Sequence, residues 1–289
     1  MKRTENNSPE GKQNCGWQIA AIAFLAGALI CTAVACGGKE NQSQAEDEYD
    51  KLAEQTSISV TEEPEAAPEV TPEATEEPAE KDSLAVLEEM GVPIPEKTVD
   101  FADLQENANE DIYAWIYIPD TQIDYPVLQH PTDNSYYLNY NLDGTRGYPG
   151  CIYTEDYNKK DFSDPNTVMY GHNMKNGTMF ADLHKYGDSE YLEEHPYVYI
   201  YTEEGLLVYE IFAAYESGDE HILYAHDGFE DRDVYRKYIE EILDMRTMGS
   251  VVKEGVEVTE DSRILTMSTC ISGRPNNRFM VQGVLLNGE

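Results

Sequence analysis

The chain has 289 residues and a formal net charge of −36, from 56 acidic against 20 basic side chains. That balance excludes nucleic acid as a partner, since binding phosphate needs a basic face, and neither a basic patch nor zinc-ligand spacing occurs. The five cysteines are Cys15, Cys31, Cys36, Cys151 and Cys270, and only the last two lie beyond the N-terminal region, which is no disulfide framework.

Met1 to Asn14 is polar and carries Lys2, Arg3 and Lys12, whereas Trp17 to Ala35 is free of charge. A run of that length can cross the hydrocarbon core of a bilayer, and the basic flank before it keeps the N-terminus inside. Residues 1–16 are therefore expected to be cytoplasmic, and 17–36 a membrane anchor or a lipoprotein-type signal. The second option rests on Ala33-Val-Ala-Cys36-Gly-Gly, in which Cys36 would carry the lipid. Either way, the remainder is tethered outside the membrane.

Residues 37–82 read as a disordered acidic linker. Glu62-Glu-Pro64, Glu65-Ala-Ala-Pro68, Glu69-Val-Thr-Pro72 and Glu76-Glu-Pro78 alternate acid with proline and offer little to bury. A flexible coil of this length reaches roughly 35–40 Å.

The folded domain is expected over 83–289. Ser83 to Met90 reads as a helix that Ser83 can cap and Gly91 can end. A second helix follows Asp100, a good N-cap, with Val99 and Leu104 at staple spacing. From Ile112 the chain turns to β. Candidate strands cover 112–118, 123–128, 150–154, 167–170, 197–201, 206–212, 264–270 and 279–286, divided by turns such as Asp143-Gly144, Asn176-Gly177 and Glu204-Gly205. This mainly β pattern predicts a closed barrel or a sandwich. One long helix interrupts it over Phe229–Thr247, with apolar residues at Val234, Tyr235, Tyr238, Ile239, Ile242 and Met245.

Chemistry concentrates near the C-terminus. Arg263 to Cys270 alternates as a strand that ends in a cysteine, 271–277 reads as a loop, and Arg278 opens the last strand. Antiparallel pairing would make Cys270 and Arg278 neighbours. A nucleophilic thiolate needs a base or a cation, and an oxyanion needs a donor. Tyr170-Gly-His172-Asn-Met174 supplies a histidine. Arg274, in the middle of the loop before Pro275, is expected to face solvent.

Thr266-Met-Ser-Thr-Cys270 followed by Arg278 resembles the signature of the sortases, cysteine transpeptidases that attach proteins to Gram-positive cell walls. Trp115 to Gln129, Asp133-Asn-Ser-Tyr-Tyr-Leu138 and Tyr170-Gly-His172-Asn-Met174 resemble the class B branch. The resemblance runs from about Asp100 to the C-terminus. It implies an eight-stranded sortase-type β-barrel with N-terminal helices and one long helix before the cysteine strand. It also implies that Cys270, His172 and Arg278 are catalytic, and that Asn134, Leu138, Tyr170, Ser268 and Thr269 line the substrate groove.

The implied reaction is two acyl transfers. Cys270 attacks a threonine carbonyl in the C-terminal sorting signal of a secreted protein, and an amine of a peptidoglycan peptide then takes the acyl group from the thioester. No cofactor or metal is implied. A pilus-assembling enzyme using a pilin lysine, and a hydrolytic cysteine protease, are the alternatives. Of the other histidines, His184 and His195 read as surface or packing residues, while His221 and His226 lie in the loop before the long helix.

Overall fold

Each stretch rich in β-branched and aromatic residues becomes a strand, because its side chains fit a pleated surface with both faces covered. In a computed structural model, which describes residues 42–56, 78–225 and 228–288, the strands are β1 Ile112–Tyr117, β2 Asp124–Leu128, β3 Ile152–Thr154, β4 Asn166–Tyr170, β5 Tyr197–Thr202, β6 Gly205–Gly218, β7 Val251–Val252, β8 Ile264–Ile271 and β9 Arg274–Leu285. They follow the order β5-β1-β2-β3-β4-β8-β9-β6, and β6 pairs back onto β5. Eight strands thus close into a barrel, as expected. The two-residue β7, which sequence periodicity does not reveal, adds to β6 outside the barrel.

Helices fill the connections and one end. They are α1 over residues 42–55, then α2 Pro78–Met90, α3 Phe101–Asn107, α4 Tyr136–Asn139, α5 Ser189–Glu194, α6 Ile222–Ala225 and α7 Arg232–Leu243, with a 3-10 helix at Ala181–Gly187. The Asp100 side chain caps α3 by accepting from Asp103 N at 3.0 Å, and Leu104 is buried as the staple requires. Gly91 ends α2 at φ +71. There Val92 N donates to Leu87 O and Gly91 N to Glu88 O, the paired bonds of a glycine-terminated helix. Ser83, the expected cap, lies inside α2, which starts five residues earlier at Pro78.

The linker expected at 37–82 needs correction at its start. Residues 42–55 form a helix whose Ala45, Tyr49 and Leu52 recur at helical spacing and are buried. The Tyr49 hydroxyl donates to Gly150 O at 2.6 Å, its ring meets Tyr125 edge-on, and Thr98 N donates to Thr56 O. Averaging composition over the segment hid this stripe, because the proline-rich run begins only at Glu62. The apolar segment 17–36 with Cys36 lies outside the described residues. Among the described residues no helix is long and apolar enough to cross a membrane.

Two apolar clusters share the barrel wall. The interior holds Ile116, Val127, Leu265, Met267 and Val281. The second lies under α7, where Tyr235, Tyr238, Ile239 and Ile242 cover Val168, Phe212, Ile264, Met280 and Val284. α7 is shorter than the expected 229–247 because Asp231 caps it, accepting from Asp233 N, and Asp244 ends it. β8 is therefore covered on both faces. Thr266 is held beneath α7 by a polar network: Gln282 Nε2 donates to Thr266 Oγ1 at 2.8 Å and to Tyr238 Oη at 2.7 Å, and Thr266 Oγ1 donates to Asn166 Oδ1.

Candidate active site

Seven of the eight residues of β8 are buried and Cys270 alone is exposed. It shares a face with Ile264, Thr266 and Ser268, but lies beyond the cover of α7. Its cross-strand partner on β9 is Arg278, so the expected neighbours are neighbours. The expected loop at 271–277 is corrected. β8 and β9 turn at Ser272-Gly273, with Gly273 at φ +78, and Ile271 pairs with Arg274. The register jump between Cys270 and Ile271 places Pro275, Asn276 and Asn277 in a bulge on β9. Such bulges re-aim side chains, and no strand periodicity announces them.

The bulge orients the guanidinium. Arg278 Nη1 donates to Pro275 O at 2.9 Å and to Asn277 O at 3.1 Å, which fixes the plane of the fork and leaves Nε and Nη2 for another acceptor. Arg274 does not simply face solvent: both of its terminal nitrogens donate to the Glu216 carboxylate on β6. That pairing with a residue far away in sequence lifts its guanidinium further above its ordinary pKa.

His172 arrives on a neighbouring element. β4 runs parallel to β8 as far as the pair Tyr170 and Ser268. Beyond it, Gly171 N donates to Ser268 O at 3.2 Å and Thr269 Oγ1 to Gly171 O at 2.8 Å. Gly171 must be glycine: a Cβ there would lie 2.5 Å from Ile152 Cδ1 and 2.7 Å from Phe180 Cδ2. The ring of His172 meets Tyr148 edge-on at 5.0 Å, and its Nε2 lies 2.8 Å from Leu138 O. A carbonyl only accepts, so Nε2 carries the proton and Nδ1 is the free proton site. Burial lowers the His172 pKa, opposed in part by the Leu138 bond.

Cys270, His172 and Arg278 line one cleft of about 300 Å³ with Leu138, Tyr170, Ser268 and Thr269. Four of the five expected groove residues are therefore in the wall. Asn134 is not: its side chain ties two loops together, donating to Asp156 Oδ1 at 2.6 Å and accepting from Asp156 N at 2.9 Å. Cys151, the other described cysteine, is buried and free, and burial pushes its thiol up to about 12.

A family model of the Sortase domain matches residues 116–286. A curated Sortase B of Listeria monocytogenes is 39% identical over 188 residues, 64% of this chain and 73% of the relative. Among solved structures, sortase B of Clostridium perfringens aligns with a TM-score of 0.58 and 30% identity, covering 64% of this chain and 99% of that one. Sortase B from Listeria monocytogenes aligns at 0.54 and 36% identity, covering 64% and 100%. The chain belongs to the class B sortases.

In this sortase two further histidines stand near the cysteine. His221 pairs with Glu155, and its own side chain lines the cleft. His184, read from sequence as a surface or packing residue, has its Nε2 3.1 Å from the carbonyl oxygen of Cys270. Nothing in its local sequence marks this, because the contact spans 86 residues. His195 packs on Tyr191 and has its Nδ1 at Tyr191 O, a helix-end role. His226 lies outside the described residues. Among the described residues no group of three or more His, Cys, Asp or Glu side chains is placed to hold a metal ion.

Proposed function

We propose that this sortase cleaves a C-terminal sorting signal after threonine and transfers the protein to a cell-wall peptide amine, with Cys270 as nucleophile. The observation that carries the reading is the convergence of one exposed thiol, one histidine with a free Nδ1 and one oriented guanidinium on a single cleft.

The Cys270 thiol gives its proton to Nδ1 of neutral His172 as Sγ attacks the threonine carbonyl carbon, and the oxygen takes the displaced electron pair. Nε–H or Nη2–H of Arg278 donates to that oxygen as charge develops. The tetrahedral species collapses, the C–N bond breaks, and protonated His172 gives its Nδ1 proton to the departing amine. The incoming amine then attacks the thioester, neutral His172 takes its proton at Nδ1, the C–S bond breaks, and the released thiolate takes that proton from His172. Burial favours neutral imidazole, the form this second step requires. Leu138, Tyr170, Ser268 and Thr269 bound the groove for the sorting peptide, and residues 17–36 tether the enzyme to the membrane through an anchor or a lipid on Cys36.

The test is cleavage of a peptide library read by mass spectrometry, with and without an added amine. Wild type should give a ligated product in the presence of amine, and Cys270→Ala and His172→Ala should give none. Hydrolysis alone at every amine concentration would make the enzyme a protease, and turnover by Cys270→Ala would refute the nucleophile. Intact mass of the membrane-extracted protein separates a full-length anchored chain from one that begins at lipidated Cys36.

A further inference from the structure

The Ser268 carbonyl accepts from Gly171 N, and the Cys270 carbonyl, two residues on, faces the same edge of β8, where the pairing with β4 has ended at Tyr170 and Ser268. Asn173 Nδ2 lies 2.9 Å from that oxygen, and His184 Nε2 lies 3.1 Å from it. The two nitrogens are 3.0 Å apart, and Asn173 Nδ2 also lies 3.4 Å from Ser272 Oγ. Asn173 is the residue after His172, and His184 sits on the 3-10 helix with its ring against Phe279 at 4.8 Å. Neither residue lines the cleft, so neither touches substrate there.

We infer that Asn173 and His184 are positioning residues that clamp the Cys270 peptide and so hold the thiol in register with His172. This rests on the proposed role of Cys270. The clamp is arranged so that one short segment serves both reacting groups. Gly171 N and O are tied to Ser268 and Thr269, His172 projects into the cleft, and Asn173 reaches back to Cys270 O. His172 and Cys270 are thereby fixed to each other through three hydrogen bonds, two at Gly171 before the histidine and one at Asn173 after it. His184 serves the same oxygen in either neutral tautomer. With Nε2 protonated it donates to the carbonyl directly. With Nε2 bare it accepts from the Asn173 amide and holds that amide in its donating orientation. The end of the β4–β8 ladder is where such side-chain support acts, because no further backbone pair from β4 fixes the Cys270 peptide. Loss of the clamp lets the thiol drift by a fraction of an ångström relative to His172, and nucleophile geometry is steeply sensitive to that.

The test uses the purified full chain and a cleavable sorting peptide. Asn173→Ala removes one donor. His184→Phe keeps a ring against Phe279 but removes the nitrogen, and His184→Gln restores an N–H near the same place. Expected are a kcat fall of about 10- to 100-fold for Asn173→Ala and His184→Phe, with KM within about threefold of wild type. His184→Gln should recover part of that loss. The double variant should be little worse than either single one, since both donors serve one oxygen. Melting temperatures measured alongside separate positioning from unfolding. Unchanged kcat in both single variants, a loss carried by KM, or a loss matched by the fraction unfolded would each overturn the clamp. Equal turnover by wild type and Cys270→Ala would instead overturn the nucleophile, a distinct outcome.

Discussion

Arg278 stands directly across the β8–β9 ladder from Cys270, and its Nη1 donates to two carbonyls of the bulge that precedes it, Pro275 O and Asn277 O. The arginine is thus held from behind by its own strand, and it lines the cleft that the thiol shares. A lysine in its place would offer three donors on a rotating ammonium and could not keep both the bulge bonds and an oriented fork.

Arg278→Lys should therefore lower kcat/KM by about 10²- to 10³-fold, the range for losing one oxyanion donor. Arg274→Ala should keep most activity, because its guanidinium is engaged with Glu216 and Arg274 is not among the residues that line the cleft. Steady-state assays of both variants on one peptide check the order. The reverse ranking would mean that Arg274 leaves Glu216 to serve the substrate.

The two described cysteines should separate by reactivity. Cys270 is exposed, whereas Cys151 is buried with its thiol pushed up to about 12 and directed at Tyr140 O. Iodoacetamide at neutral pH should label Cys270 in the native protein and reach Cys151 only after unfolding, as peptide mapping would show. Native labelling of Cys151 at a similar rate would contradict its burial.

His172 also makes a signed prediction for stability. Burial sets its folded pKa below the ordinary value of 6.5, so between the two values the unfolded chain binds more protons than the folded one. Stability then rises with pH across that window. The contribution is fully present above about 6.5 and is lost as pH falls toward the folded pKa, below which the loss levels off. His172→Gln has no such titration, so its stability relative to wild type should improve as pH drops through the window. Parallel urea titrations at pH 7.5, 6.5 and 5.5 check this, and parallel profiles for the two proteins would refute it.

The helix α1 should behave as part of the domain. Tyr49 is almost wholly buried and bonds to Gly150, and Gly150 packs beside the Leu138 carbonyl and the His172 ring. Tyr49→Ala should cost about 3 kcal/mol, as for other buried aromatic truncations. A chain beginning at Pro78 should melt below one beginning at Asn41. Equal melting temperatures would show that α1 does not dock.

Local pattern by itself determined much of this protein. Short runs rich in β-branched and aromatic residues marked the strands of the barrel because both of their faces are largely covered, and the 3.6-residue stripe of Tyr235, Tyr238, Ile239 and Ile242 marked α7 because one face of that helix is covered. The motifs around Cys270, His172 and Arg278 pointed to the family, whose model matches residues 116–286. What only the tertiary structure decided are the relationships that close over long separations or break periodicity. The β8–β9 bulge is one, since an irregular register leaves no repeating trace. The pairing of Arg274 with Glu216 is another, as is the approach of His184 to the Cys270 carbonyl. α1 was hidden for a related reason: its short stripe of Ala45, Tyr49 and Leu52 has value only against a surface built by residues a hundred positions later. Sequence periodicity reports which face of an element is buried. It carries no record of which distant residue does the burying, and at this cleft that is what orients the reacting groups.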